Sequence, residues 1–206
     1  VGPADRLAFR RLLWEASKTS SDKILREIEG AISDAPNDQI TLAKDEVDAL
    51  LGSAILMGDK VTALDAEVTT PKATSLDIME RNNRRAFLAK LRDNFVSWAA
   101  AGASASGEPD AYLKVLNGLP EDRDEMAASM IRSLAAMTNT AEGLNAILPS
   151  LFSALVGPSV IKRGSAAETI GDIPTRQRDN APDLLLEAFT SGLTDPYIYV
   201  HQSAVK

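Results

Sequence analysis

The sequence predicts an all-α protein: helical hairpins stacked in series, with longer helices in the N-terminal half. Three observations carry that expectation. Apolar residues recur every three or four positions through most of the chain, the spacing of one helix face. Aromatic residues make up only 5% of the chain, too few for a β-sandwich, which draws on aromatic and β-branched side chains. Three prolines, Pro120, Pro158 and Pro196, stand 38 residues apart, and a fixed period of that size marks a repeat architecture.

The elements follow in order. Leu7, Leu12, Leu13 and Ala16, with Trp14 at the edge, outline a first helix over 4–18. Ser20-Ser21-Asp22 is a capping signal that opens a second helix over 22–34, with Ile24, Leu25, Ile28, Ala31 and Ile32 on one face. The turn chemistry of Asp34-Ala35-Pro36-Asn37-Asp38 ends it. Over 42–69, Val47, Leu50, Leu51, Ala54, Ile55, Val61, Leu64 and Val68 keep helical spacing, so one long helix is expected, with a soft point at Gly58. A loop over 69–75 leads to another long helix, 75–100, with Leu76, Met79, Phe87, Leu91, Phe95 and Trp98 on one face. The run from Ala101 to Pro109 is small, polar and glycine-containing and reads as a flexible linker, the natural boundary between subdomains 1–100 and 109–206. Helices are then expected at 109–117, 120–137, 140–156, 159–172, 182–193 and 196–206, with the longest loop of this half between Gly171 and Pro182.

The second half repeats itself. Seven residues before each periodic proline stands a large apolar residue (Leu113, Leu151, Phe189), and eight after it an alanine (Ala128, Ala166, Ala204). Proline is tolerated in a helix's first turn and discourages helical geometry in the residue before it, so each proline is expected to end one helix and open the next. The alanine two turns on lets a neighbouring helix approach closely. Each helix pair has an apolar stripe that it cannot bury alone, and stacked pairs bury one another's. The alternative is an irregular helical bundle in which the proline spacing has no structural meaning.

The last copy, Leu193-Thr194-Asp195-Pro196 running on to Val200-His201 and Ser203-Ala204, resembles the HEAT repeat. The second helix of that repeat opens on Asp-Pro, then Val-Arg, then a small pair; here His201 stands where arginine is usual. The middle copy keeps Pro158, Arg163 and Ala166-Ala167, with Gly157 for the aspartate and Lys162 for the valine; the first keeps little beyond Pro120 and Ala127-Ala128. The resemblance covers residues 109–206. It implies a HEAT-like α-solenoid and a scaffold for protein–protein interaction, and it implies no chemistry.

Composition narrows the function classes. The chain contains no cysteine and one histidine, His201, which removes disulfides, thiol nucleophiles and cysteine- or histidine-rich metal centres. A net charge of −7 opposes nonspecific nucleic-acid binding, which relies on lysine and arginine displacing counterions. No phosphate loop, dinucleotide glycine fingerprint or nucleophile elbow is found, so no enzyme and no cofactor is expected. Val1 to Asp5 lacks the layout of a signal peptide and no run approaches bilayer-spanning length, so the cytoplasm is the expected location. The chain opens without methionine and stops at Lys206 inside an expected helix; a segment of a longer protein is the expectation, partnered by another protein or by another domain of the same parent chain.

Candidate contact residues come from charge and aromaticity. Arg81, Arg84 and Arg85, followed by Lys90 and Arg92, place cations at i, i+3 and i+4, a pattern for a phosphate or an acidic partner, or simply a solvated face. Lys162 and Arg163, with Arg176 and Arg178 beyond them, are candidates for a basic edge that would serve a nucleic-acid-binding alternative. Tyr197 and Tyr199 flank the last corner, and tyrosine suits an interface through its apolar body and polar tip. The acidic run Glu121 to Glu125 after Pro120 reads as first-turn carboxylates complementing a helix dipole.

Overall fold

The computed structural model describes residues 44–67 and 74–198, together with Lys23, Glu27, Val200 and Gln202. All of the described secondary structure is helical. The expected helices over 4–18 and 22–34 lie outside the described residues apart from Lys23 and Glu27, both helical and paired at 3.9 Å as i and i+4.

Helix α1, Lys44–Ala66, is continuous through Gly58, the single long helix that the apolar spacing led us to expect. Tertiary contact explains this: a Cβ at Gly58 would lie 3.8 Å from the Cδ of Arg92, so the neighbouring helix covers that position. Val47, Leu50, Leu51, Ala54, Met57 and Val61 are buried along one face. Helix α2, Ser75–Ser106, opens on a capping box in which Thr74 accepts from the Asp77 N–H at 3.2 Å and donates its own N–H to the Asp77 carboxylate at 2.8 Å. Its partner face is Leu88, Leu91, Phe95, Val96, Ala99 and Ala103. Leu76 and Met79, expected on that face, are instead exposed.

Residues 101–106, expected as a flexible linker, are the last turns of α2. Alanine is the strongest helix former and a single interior glycine costs only about 1 kcal/mol. Ala99, Ala100, Gly102 and Ala103 are buried, and the Ser104 hydroxyl donates to the Ala136 carbonyl at 2.9 Å. Small residues here permit close packing. The helix ends at Gly107, whose φ of 68° is the left-handed conformation that glycine adopts without penalty.

Helix α3, Pro109–Asn117, and helix α4, Asp124–Ser133, form the next pair, and α4 tightens into a 3₁₀ helix, Leu134–Met137. Helix α5, Ala141–Leu155, is capped by Thr140, and α6, Val160–Gly171, by Ser159. A 3₁₀ helix, Thr175–Asn180, fills the expected loop, and α7 covers Pro182–Thr194. Ile198, Val200 and Gln202 are helical beyond the last corner.

The periodic prolines do not sit in first turns. Pro120 precedes α4 by a turn closed by Arg123 N–H to the Pro120 carbonyl at 3.1 Å, and Pro158 lies just outside the Ser159 cap. Among the described residues the first-turn prolines are Pro109 and Pro182, which do not belong to the 38-residue series. A side-chain cap supplies a hydrogen bond that proline cannot. Glu121 and Asp122 therefore fall in a turn, and only Asp124 and Glu125 occupy the α4 first turn.

The helices pack in two rows. α1, α3, α5 and α7 each touch the next in one row, and α2, α4 and α6 do the same in the other; α1 packs on α2, α3 on α4 and α5 on α6. One apolar core runs through both rows, from Val47 to Ala188.

Candidate functional site

Charged side chains tie helices to one another at several points. At the α1–α2 end, Arg85 grips the Asp65 carboxylate through two hydrogen bonds of 2.5 and 3.0 Å and reaches Glu125 at 3.3 Å. That pairing, before all else the hydrogen bond from Arg85, holds the Asp65 carboxyl below its ordinary value and raises the guanidinium. Arg92, with its side chain only 7% exposed, binds Asp93 at 2.9 Å and Glu125 at 3.2 Å. Arg123 pairs with Asp59 of α1.

Further along, three ties connect residues 38 positions apart. Lys162 meets Asp124 at 2.9 Å, the Thr169 hydroxyl donates to the Ile131 carbonyl at 3.0 Å, and the Gln177 amide donates to the Asn139 carbonyl at 3.1 Å. Burial pushes the Asp124 carboxyl up, but hydrogen bonds from Ser159 and Lys162 outweigh it, so the carboxyl stays below its usual range.

The last corner is the most enclosed of these ionic sites. Arg163 binds Asp195 at 2.6 and 3.4 Å and the carbonyls of Gly157 and Pro158 at 3.0 and 2.9 Å. The Tyr197 N–H donates to Asp195 at 2.9 Å, and the guanidinium lies 5.6 Å from the Tyr197 ring centroid. The Arg163 and Asp195 side chains are 14% and 6% exposed. Burial acts to raise the Asp195 carboxyl; Arg163 and the Tyr197 N–H more than offset it and hold it below 3.8.

The candidate contact residues thus divide. Arg85, Lys162 and Arg163 are engaged with carboxylates inside the molecule, and Arg81 donates to the Glu67 carbonyl at 2.8 Å. Arg84 is exposed on α2. Tyr197 is half exposed beside Arg163, while Tyr199 and His201 lie outside the described residues. Arg176 and Arg178 hold main-chain carbonyls of Asn139 and Ile173. The structure does not assemble these cations into one site. What the sequence reading missed is the set of acidic partners, Asp59, Asp65 and Glu125; a carboxylate distant in sequence gives no local sign of its mate.

Two open features remain. A groove of about 680 Å³ lies between α1, α3 and the Pro120 corner. Ile55, Val115, Leu119 and Met126 form its apolar lining, with Asp48, Asp110 and Lys114 also around it. The second feature is the outer face of α7, where Leu186, Phe189 and Leu193 are 66%, 56% and 46% exposed. Among the described residues no group of acidic or histidine side chains has the arrangement to hold a metal ion, and no helix is long and apolar enough to cross a membrane. The Tyr112 phenol is pushed up by complete burial and donates to the Met130 carbonyl at 2.9 Å, a structural bond in the core.

Comparison with known proteins finds no match: no family model fits this chain, and no curated protein or solved structure is significantly similar to it.

Proposed function

We propose that this chain is a non-catalytic protein-binding scaffold, a HEAT-like α-solenoid whose stacked hairpins engage another protein or another domain. The supporting observation is the set of ties between residues one 38-residue period apart, at 124 and 162, 131 and 169, and 139 and 177. A helical unit that repeats by translation along a row brings equivalent residues side by side, and each unit then contacts only its neighbours. An extended surface follows from that arrangement, and binding is what such a surface offers. The nucleic-acid alternative draws no support from the cations, because Arg85, Lys162 and Arg163 already neutralise carboxylates and have little charge left for phosphates.

Two measurements test the reading. The chain has no native cysteine, so spin labels can be placed at introduced cysteines Asn139→Cys and Gln177→Cys. The Gln177 side chain touches the Asn139 carbonyl, so a short, narrow distance distribution between the labels is expected; a broad or long one overturns the stacked arrangement. Titration with fluorescent duplex DNA at low salt should give no salt-sensitive binding. Tight binding that collapses as salt rises would replace the scaffold with a nucleic-acid reader.

A further inference from the structure

Asn117 is the only asparagine in the chain followed by glycine. That dipeptide carries a reaction of its own. The main-chain nitrogen of the glycine attacks the side-chain carbonyl carbon of the asparagine, and a new C–N bond closes a five-membered succinimide. The bond from that carbon to the side-chain nitrogen breaks, and the nitrogen leaves as ammonia with the proton of the glycine amide. Water then opens the ring at either carbonyl and leaves aspartate or isoaspartate. A side chain on the following residue hinders the attack, and glycine has none.

The fold favours glycine at this place. Helix α3 ends at Asn117, and a Cβ at Gly118 would come within 3.1 Å of the Lys114 carbonyl oxygen. The tight corner before Pro120 therefore suits the one residue without a side chain, and the same residue leaves Asn117 reactive. Asn117 and Gly118 are both exposed, so water reaches them.

Folded geometry opposes ring closure in two ways. The Gly118 N–H donates to the Lys114 and Val115 carbonyls at 3.1 and 3.2 Å, which ties the attacking nitrogen into the hydrogen bonds of α3. The Asn117 side-chain carbonyl accepts from the Ser150 hydroxyl at 3.2 Å. Ser150 belongs to α5 and is only 8% exposed, so a neighbouring helix holds the group under attack. Ring closure needs Asn117 to leave helical dihedrals, and the last turn of α3 must open for that.

We infer that Asn117 is a deamidation site guarded by the contact of α3 with α5: it converts to aspartate and isoaspartate when the end of α3 opens, and the bonds to Ser150 and from Gly118 keep it closed. Conversion places a carboxylate at the C-terminal end of α3, the negative end of the helix dipole. Isoaspartate also lengthens the main chain by one methylene before the Pro120 corner.

The test incubates the whole chain at mildly alkaline pH, folded or unfolded in urea, and follows each asparagine by peptide mapping and mass spectrometry. In urea Asn117 converts faster than any other asparagine. In the folded chain its conversion is at least about tenfold slower, because reaction waits on local opening. Ser150→Ala speeds the folded-state reaction about two- to tenfold, the change in open population that one hydrogen bond supports, and leaves the rate in urea unchanged. Amide hydrogen exchange at Gly118 gives a second reading that needs no variant: its protection in the folded chain matches the slowing of deamidation. Equal rates with and without urea, faster conversion of another asparagine in urea, or a Gly118 amide that exchanges like an unfolded one overturns the proposal. So does a Ser150→Ala chain with parental circular dichroism and an unchanged rate.

Discussion

The α1–α2 hairpin and the shorter helices after Gly107 share one apolar core but contribute to it differently. In the hairpin, two long helices bury a continuous seam against each other: Leu50, Leu51, Met57 and Val61 from one, Leu88, Leu91 and Phe95 from the other. Its ionic contacts range from the exposed pair of Arg85 with Asp65 to the nearly buried Arg92 against Asp93. After Gly107 the helices are short, 9 to 15 residues, and none has enough face to form a comparable seam. There the apolar core continues through short faces, among them Met130, Leu134, Leu144, Leu151 and Ile170, and polar ties between helices distant in sequence add to it: Thr169 to Ile131, Gln177 to Asn139 and Arg163 to Asp195. The contrast teaches that helix length decides how burial is divided: one long seam in the hairpin, several short faces after Gly107.

Four substitutions would break or sharpen this contrast. The largest effect is expected for Phe95→Ala in the hairpin seam. Phe95 is fully buried and stacks at a 45° tilt on Trp98 with centroids 5.6 Å apart, and truncating a buried aromatic costs about 3–5 kcal/mol. Denaturant titration measures it; a loss no larger than that of a surface variant would mean that the seam is not the hairpin's anchor.

Next is the ionic corner. Asp195→Asn leaves Arg163 buried without its counter-charge, and breaking such a pair destabilises by about 3 kcal/mol. The pH dependence has a definite sign. Burial works to raise the Asp195 carboxyl, but Arg163 and the Tyr197 N–H hold it below its ordinary value in the folded chain, so its contribution is fully present above the unfolded value and is lost as pH falls through the folded one. Melting curves of the parent chain should therefore drop below about pH 4 by more than those of Asp195→Asn; parallel curves would remove this corner from the account.

A smaller loss is expected where units meet face to face. Ala166 is completely buried on α6, and a phenyl ring there overpacks the contact with α4 by about 1–3 kcal/mol. An unchanged melting temperature for Ala166→Phe would show that this alanine does not set the helix approach.

The smallest effect is a gain. Gly58 is inside α1, and a Cβ would make ordinary contact with Arg92 Cδ at 3.8 Å. Replacing an interior helix glycine by alanine favours the folded chain by about 0.5–1 kcal/mol. A lower melting temperature for Gly58→Ala would reveal a closer fit between α1 and α2 than the geometry indicates.

The candidate site was less legible than the fold. Arg81, Arg84, Arg85, Lys162 and Arg163 could be picked out as clusters, but whether a cation faces solvent or a carboxylate depends on Asp65, Asp124 and Asp195, which lie 20 to 38 residues away. The exposed stripe on α7 was hidden for the opposite reason. Leu186, Phe189 and Leu193 look in sequence like any core face.

The helical class, the positions of α1, α3, α5, α6 and α7 to within a few residues, and the 38-residue period were set by the sequence itself. They depend on local quantities: apolar spacing, caps such as Thr140 and Ser159, and breakers such as Gly118 and Pro120. Tertiary structure decided the rest. It packed Arg92 beside Gly58 of α1, carried α2 on through Ala101–Ser106 with Ala103 buried, left Leu76 and Met79 in solvent, and matched Arg85, Arg92, Arg123 and Arg163 to their acids. These outcomes turn on which surfaces meet, and a residue's own neighbours along the chain do not contain that information.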